Sequence, residues 1–159
     1  MGIEKTVEIN RVTAESLPSL LPLMADYQRF YRREPDAARN EAFFTELLDG
    51  EEGLQLLATQ DGKAVGFATL YWVRQSTVAQ KNALLNDLYA VPETRGSGVG
   101  YALLKAAAEH AAAAGFPALT WTTAPDNVVA QKLYDRFLAE AGQVEGVSVW
   151  KHYGYRLTR

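Results

Sequence analysis

The fold is decided by residues 82–104, which read NALLNDLYAVPETRGSGVGYALL. Residues 82–91 predict a strand, and Pro92 ends it because proline cannot donate a hydrogen bond to a sheet ladder. An alanine-rich segment predicts a helix over 99–114. A glycine-rich turn over 93–100 joins the two, so the chain here passes from a strand through glycines into a helix.

Upstream of this stretch, the pattern of apolar residues predicts a strand, two helices and a hairpin. The strand is expected at 7–12, the helices at 13–31 and 38–48, and the hairpin strands at 54–59 and 64–74. Thr13 is expected to cap the first helix, and Pro22 inside it predicts a kink or a division into two short helices. Asp61-Gly62 is typical of a tight hairpin turn.

Downstream, the sequence predicts a strand at 118–123, a helix at 128–141 and one or two closing strands over 144–157. Three meandering strands therefore precede a β-α-β crossover. This order predicts an α/β fold, with a mixed, mostly antiparallel sheet and helices on both faces. A length of 159 residues favours one domain, which we expect to span 1–159.

The composition excludes several functional classes. Hydrophobic residues make up 48% of the chain and charged residues 22%, as in an ordinary globular protein. A net charge of −3 disfavours nucleic acid and anionic membranes as partners, and no apolar stretch is long enough to predict a membrane span. The charged start of the chain is unlike a signal peptide. The lack of cysteine excludes thiol chemistry and fits a reducing compartment, so we expect a cytoplasmic protein. With two histidines, we expect no metal site.

The glycine-rich turn predicts a site for phosphate or pyrophosphate. Glycines let backbone N–H groups approach an anion, and the start of the next helix adds positive charge. The alternative is a flexible turn that happens to be rich in glycine. Tyr101 and Ala102 stand where a P-loop needs Lys and Ser or Thr, and Tyr101 and Leu103 break the dinucleotide fingerprint. The pattern that fits is Arg-x-x-Gly-x-Gly, formed by Arg95, Gly98 and Gly100.

This pattern, preceded by NDLYAVPE at 86–93, resembles the acetyl-CoA-binding motif of the GCN5-related N-acetyltransferase (GNAT) superfamily. Residues 124–134, APDNVVAQKLY, resemble that family's second cofactor segment, in which an Asn is followed seven residues later by a Tyr. Both segments look most like the branch that contains histone, polyamine and D-amino-acid acetyltransferases. The order of elements agrees with the family over essentially the whole chain.

The resemblance implies a role for each matching residue. Backbone groups of Leu88, Tyr89 and Ala90 would pair with the pantetheine arm, and one of their N–H groups would bind the oxyanion. Asn127 would hydrogen-bond the same arm, and Tyr134 would lie near the thioester sulfur as the general acid. The alternative for Tyr134 is a core tyrosine. The pyrophosphate would be held by backbone N–H groups along the turn, contributed by Arg95, Gly96, Ser97, Gly98, Val99, Gly100 and Tyr101.

The general base is where the sequence departs from the relatives that acetylate polyamines. Asn86 stands where those relatives carry a glutamate, and an amide is no useful proton acceptor. Strand alternation predicts that the next side chain, Asp87, points to the opposite face. A water chain, Glu34 or Asp36 are the remaining candidates, although a solvated turn explains each of these carboxylates better when it is taken singly. The first two helices and the loop over 73–81 should form the substrate pocket, with candidate lining residues Tyr27, Phe30, Tyr31, Phe43, Tyr71 and Trp72.

The resemblance therefore implies an acetyl-CoA-dependent N-acetyltransferase that acts on the primary amine of a small molecule by direct attack. Two alternatives stay open: a protein or peptide N-acetyltransferase, and an acyl-CoA-binding sensor module without turnover. We also expect a homodimer, from the family and from the aromatic-rich segment at 149–155, since an exposed edge strand invites pairing.

Overall fold

The sheet is mixed and mostly antiparallel, as predicted. A computed structural model describes residues 5–142, 146–149 and 151–158, and these form one five-stranded sheet in the order β1-β2-β3-β4-β5. The first four strands are antiparallel neighbours, and β5 is parallel to β4. The elements are β1 (Val7–Arg11), α1 (Leu17–Phe30), α2 (Ala37–Glu46), β2 (Gly53–Gln60), β3 (Lys63–Gln75), β4 (Gln80–Ala90), α3 (Val99–Ala113), β5 (Leu119–Thr120) and α4 (Val128–Ala141). Short 3-10 turns follow α2 at Leu47–Asp49 and β4 at Pro92–Thr94.

Helices cover both faces of the sheet, because successive strand residues point to opposite sides. Leu56 of β2 packs in a buried cluster with Leu103 of α3. The next residue, Leu57, packs in a second cluster with Leu20 and Met24 of α1. The α/β layer arrangement that the order of elements predicts is therefore confirmed.

The hairpin turn between β2 and β3 is also confirmed. Gln60 pairs with Lys63, and the two residues between them, Asp61 and Gly62, have φ of 51° and 75°. Positive φ at both central positions is what a type I′ turn requires, and Asp-Gly is a favoured sequence for it.

The helix α1 begins at Leu17, after a turn over 14–16 that Thr13 starts. Thr13 makes the reciprocal bonds of a capping box: its Oγ1 accepts from the Ser16 N–H over 3.4 Å, and its own N–H donates to Ser16 Oγ over 2.9 Å. The Thr13 carbonyl also accepts from the Leu17 N–H over 2.9 Å, so Thr13 caps the turn that leads into α1. The helix is not divided at Pro22. The amide that proline lacks would have bonded the carbonyl of Pro18, in the first turn, so only one bond near the helix end is lost.

The C-terminal part of the chain departs most from expectation. The strand predicted at 118–123 shortens to Leu119–Thr120. The closing strands predicted over 144–157 do not form in the described residues 146–149 and 151–158; residues 143–145 and 150 lie outside the described part. A strand needs a neighbour for its backbone groups, and the described sheet ends at β5.

Candidate functional site

A bulge in β4 shapes the site. Thr69 of β3 pairs with Asp87, but the next pair is Leu70 with Leu85, so Asn86 has no partner on β3. The extra residue resets the alternation of side chains. Leu85 and Leu88 consequently both pack on the α3 side, although residues three apart on a regular strand face opposite ways.

The bulge corrects the expectation for Asp87. Its side chain does not point away from Asn86: the Asn86 Nδ2 amide donates to Asp87 Oδ1 over 3.2 Å, and both residues line the same cavity. Alternation fails here because two consecutive β4 residues stand opposite a single position of β3. A carboxylate therefore lies beside the position where the sequence offers only an amide.

The cavity lies between α1, α2 and the bulged part of the sheet. Its volume is about 440 Å³, within the range of small-molecule sites. The residues that line it are Met24, Tyr27, Gln28, Tyr31, Arg33, Phe44, Tyr71, Asn86 and Asp87.

Three of the six predicted pocket aromatics, Tyr27, Tyr31 and Tyr71, line this cavity. The other three do not. Phe30 and Phe43 are exposed, and Trp72 packs on the α3 side of the sheet, where it stacks on Phe116 at 4.4 Å. Most of the predicted loop over 73–81 is strand, and none of its residues lines the cavity.

Sequence reasoning missed Met24, Gln28, Arg33 and Phe44 as lining residues. Met24, Gln28 and Tyr31 recur at helical spacing on α1, so that periodicity was a usable signal for two of them. No local signal marks Arg33 or Phe44.

Asp87 sets the electrostatics of the cavity. Burial raises the pKa of Tyr27, and the charge and hydrogen bonding of Asp87 raise it further. Burial, followed by the charges of Asp87 and Glu52, raises the pKa of Tyr71 to about 12. Both phenols therefore stay protonated at neutral pH and offer O–H donors around the carboxylate.

The two alternative carboxylates are explained without catalysis. Asp36 is the N-cap of α2 and accepts a hydrogen bond of 3.0 Å from the Arg39 backbone N–H. Glu34 is exposed, and neither residue lines the cavity.

The glycine turn has the geometry of an anion site. Gly96 and Gly98 have φ of 83° and 88°, a region that residues with a Cβ rarely adopt. Gly98 is the N-cap of α3, and no side chain caps that helix. The first N–H groups of a helix have no partner within it, so those of Val99, Gly100 and Tyr101 need one from outside. A Cβ at Gly96 or Gly98 would meet no described atom of the chain within 4 Å, so within the described part of the protein the space at these two positions is open.

Gly100 has a second role. A Cβ there would lie 3.3 Å from Leu133 Cδ2, so this glycine lets α3 pack closely on α4. The Tyr101 hydroxyl donates to the Glu140 carboxylate, which also accepts from Arg136 Nε at 3.1 Å. These contacts hold the two helices together.

Other side chains of the turn face inward or back along the chain. Val99 is in the core beneath the sheet. Ser97 Oγ donates to the Thr94 carbonyl, and Arg95 Nε donates to the Ala90 carbonyl over 3.4 Å. Two of the predicted backbone donors are also engaged within the turn, because the Arg95 N–H donates to the Pro92 carbonyl over 3.3 Å and the Ser97 N–H donates to the Thr94 carbonyl over 3.1 Å.

Strands β4 and β5 pair over a short stretch and then diverge. Their pairing covers only Ala83 with Leu119 and Leu84 with Thr120. In the described sheet, the later part of β4, which includes Leu88, Tyr89 and Ala90, has no strand on that side. An edge of this kind can pair with an extended ligand.

The helix α4 brings the two residues of the second segment to one side of this opening. Asn127 is its N-cap, with Oδ1 accepting from the Ala130 N–H at 3.2 Å. Tyr134 follows two turns later and is half-buried, with its ring 5.4 Å from that of Trp121. Burial, and then the neighbouring Tyr31 phenol, raise its pKa. Tyr134 is therefore within electrostatic range of Tyr31, a residue of the cavity wall.

Within the described ranges 5–142, 146–149 and 151–158, no helix is long and apolar enough to cross a membrane. The same residues contain no group of three or more His, Asp or Glu side chains that would hold a metal ion.

The chain is similar in sequence to curated N-acetyltransferases. The chain is 33% identical to an uncharacterised N-acetyltransferase, YhfO of Bacillus subtilis (strain 168), over 130 residues, which cover 82% of this chain and 87% of that one. It is 32% identical over 97 residues to the D-amino-acid N-acetyltransferase HPA3 of Saccharomyces cerevisiae (strain ATCC 204508 / S288c), covering 61% and 58% of the two chains.

The fold is similar to that of solved structures. The aminoglycoside N-acetyltransferase AAC(6')-Iy, in complex with the bisubstrate analogue CoA-S-monomethyl-acetylneamine, matches with a TM-score of 0.79 at 21% identity, covering 95% of this chain and 99% of that one. The family model of the GNAT acetyltransferases matches residues 20–139, which include both motifs. The chain is therefore an N-acetyltransferase and belongs to the GNAT family.

Proposed function

We propose that this enzyme transfers the acetyl group of acetyl-CoA to the primary amine of a small molecule, which attacks the thioester directly. The observation that carries the proposal is the cavity of about 440 Å³, which both Asp87 and Tyr31 line. Asp87 offers a proton acceptor there, and the pKa of the candidate donor, Tyr134, responds to the Tyr31 phenol of the same wall. The similarity to HPA3 and to AAC(6')-Iy, whose names refer to D-amino acids and aminoglycosides, supports a small amine.

The CoA pyrophosphate would sit in front of the glycine turn. Backbone N–H groups of Gly96, Gly98, Val99, Gly100 and Tyr101 would bind it at the start of α3, where the helix dipole favours negative charge. The Arg95 and Ser97 N–H groups, predicted from sequence to join them, donate to the Pro92 and Thr94 carbonyls instead. The left-handed glycines and the open space in front of them support this fit.

The pantetheine arm would lie in the opening between β4 and β5. Leu88, Tyr89 and Ala90 offer backbone groups along the edge of β4 that no described strand pairs with. Asn127 would contribute its side-chain nitrogen, since its oxygen caps α4. An N–H of the same β4 segment would then stabilise the oxyanion, an interaction worth about 2.7–4 kcal/mol in comparable enzymes.

Asp87 would act as the general base. A primary alkyl amine with a pKa of about 10.4 enters as an ammonium ion and must lose a proton before it can attack. The nitrogen then forms a bond to the thioester carbon, and collapse of the intermediate breaks the carbon–sulfur bond. Tyr134 would give its phenolic proton to the leaving sulfur. Two protons leave the nitrogen and one reaches sulfur, so one proton is released to solvent per turnover.

The test is CoA release from acetyl-CoA in the presence of an amine panel, with the product identified by the mass of one added acetyl group. The panel contains a polyamine, an aminoglycoside, D- and L-amino acids with their amides, and a lysine-containing peptide. Acetylation of a small amine supports the proposal. Acetylation of the peptide alone would support the protein acetyltransferase, and acetyl-CoA binding without release would support the sensor module.

We also propose that two copies associate through the C-terminal segment, residues 146–149 and 151–158. Its apolar residues alternate along the chain and are between 79% and 89% exposed: Val147, Val149, Tyr153, Tyr155 and Leu157. Alternation is the pattern of a strand with one buried face, and full burial of each valine or leucine stabilises by about 1.5–3 kcal/mol. A second copy would supply both the sheet edge and the apolar surface.

A further inference from the structure

Two opposite charges line the cavity without pairing. Asp87 and Arg33 are both lining residues. The described ion pairs join other residues, and the Arg33 guanidinium has no hydrogen-bond or ion-pair partner in the described part of the chain. Arg29, in the last turn of α1, differs in this respect, because its Nη1 lies 2.9 Å from Asp26 Oδ1.

The end of α1 determines where Arg33 lies. The Arg33 N–H donates to the Gln28 carbonyl over 2.9 Å, and the Arg32 N–H donates to the Arg29 carbonyl over 2.9 Å. Arg32 between them adopts a left-handed conformation with φ of 57°. This is the hydrogen-bond pattern of a Schellman motif, which turns the chain sharply back at a helix end. Gln28 and Arg33, which the motif ties together, both line the cavity.

The rest of the cavity wall is mostly apolar or aromatic. Met24 and Phe44 are buried, and the rings of Tyr27 and Tyr31 lie 5.0 Å apart. A ligand here has three different surfaces to satisfy: a carboxylate, a guanidinium and an apolar wall. The cavity volume of about 440 Å³ is in the range of sites that bind small molecules.

We propose that the acceptor is a small zwitterion, an amino acid with an apolar side chain, whose carboxylate binds Arg33 while its amine is directed to Asp87. The inference rests on the proposed function, because it names the class of amine that the acetyl group reaches. A guanidinium binds a carboxylate through two parallel hydrogen bonds, which fixes orientation as well as adding affinity. An acceptor amine that carries no carboxylate would leave the Arg33 guanidinium without this hydrogen-bond partner.

The experiment compares each amino acid with its carboxamide, which keeps the amine and side chain but has no negative charge. The apolar D- and L-amino acids and their amides are assayed with acetyl-CoA, at free-amine concentrations corrected for the different amine pKa values. The measured quantity is the ratio of kcat/KM for acid over amide, in the parent enzyme, Arg33→Ala, Arg33→Lys and the control Arg29→Ala. Circular dichroism and thermal unfolding verify that each variant is folded.

The parent is expected to favour the acid, and Arg33→Ala to lower the ratio about ten- to hundredfold. Arg33→Lys should restore part of the preference, and Arg29→Ala should keep the parent ratio. Calorimetric titration of the CoA-bound enzyme with acid and amide gives a second readout that does not depend on turnover, and the parent should bind the acid more tightly.

A parent that turns over amides as well as or better than acids would overturn the inference and leave the proposed function intact. Equal loss for acid and amide in Arg33→Ala would overturn it too. If no amine in the panel is acetylated, the proposed function fails, and the zwitterion proposal fails with it unless calorimetry still shows selective binding of the acid.

Discussion

The side-chain amide of Asn86 donates a 3.2 Å hydrogen bond to the carboxylate of Asp87, although the two residues are neighbours on one strand. In a regular strand their side chains would point to opposite faces. The bulge at Asn86 places both on the α1 side, within the cavity. The amide thereby orients a carboxylate in the cavity, where the proposed mechanism needs a base.

The role of Asp87 predicts a pH-dependent defect in Asp87→Asn. At pH 7 kcat/KM for an alkyl amine should fall by about 10²–10⁴, the usual contribution of a general base. As pH rises toward about 10, the amine loses its proton without help, so the defect should shrink. The measurement is a pH profile of kcat/KM for parent and variant.

Glu34→Gln is the matched control. It neutralises an exposed carboxylate that follows α1 in the chain and does not line the cavity. Its profile should follow that of the parent. A defect of equal size at every pH would assign Asp87 to substrate positioning instead.

Tyr134→Phe tests the general acid. Loss of the hydroxyl should lower kcat toward the low end of about 10²–10⁴, since a thiolate leaves fairly well without a proton. Affinity for acetyl-CoA should change little, because at most one hydrogen bond worth about 0.5–1.5 kcal/mol is lost. Burial raises the pKa of Tyr134 above its ordinary 10.0, so the fall of kcat with Tyr134 ionisation should lie above pH 10 and vanish in the variant.

Tyr153→Phe removes a hydroxyl from an exposed ring and should leave kcat unchanged. If Tyr134→Phe keeps kcat within threefold of the parent, with chemistry shown to limit the rate, Tyr134 has no part in the proton transfer.

Gly98→Val and Gly62→Val form a matched pair for the phosphate site. Both glycines have positive φ and open space around them, so each valine should destabilise the protein by about 1–2 kcal/mol. Only Gly98→Val should also weaken acetyl-CoA binding, by at least tenfold, or about 1.4 kcal/mol. Urea unfolding and calorimetry measure the two effects separately. Equal affinities in the two variants would argue against the assignment.

Gly100→Val is not a clean probe of the same site. The added side chain would press on Leu133 of α4, so we expect a larger loss of stability than for Gly98→Val. The sequence places Gly100 in the turn before α3. The structure shows that its lack of a side chain lets α3 pack closely against α4.

The buried phenols predict that stability falls in alkaline solution. Tyr27 has a pKa raised above 10.0 in the folded state, so above pH 10 the unfolded chain loses this proton while the folded protein keeps it. The contribution of Tyr27 to the free energy of unfolding is therefore constant below pH 10 and decreases between pH 10 and 12. Tyr27→Phe should give a shallower decline over that interval, measured by urea unfolding at several pH values. An unchanged slope would contradict the shifted pKa.

Sedimentation should find two chains in the parent, and the double variant Tyr153→Asp/Tyr155→Asp should sediment as one chain of 17.5 kDa, because a charge cannot be buried cheaply against a partner. Val78→Asp is the control, since Val78 is also exposed but lies in the turn between β3 and β4. A monomeric parent at high concentration would rule out the association.

Sequence alone determined those features that depend on a few neighbouring residues. Asp61-Gly62 encodes a turn that needs positive φ at both positions, and the glycines before α3 leave its first N–H groups uncapped. The order of strands and helices follows from periodicity, and the spacing from Asn127 to Tyr134 places both on one side of α4.

Only the tertiary structure decided which side chains meet in the cavity. The bulge at Asn86 arises from pairing with β3, a relation between segments far apart in sequence, so alternation along β4 gave the wrong face for Asp87. Arg33 lines the same cavity as that carboxylate because of how α1 ends and where α1 packs. The alternating apolar residues after 146 encode a strand, but whether a strand forms depends on a neighbour that can accept and donate its backbone hydrogen bonds.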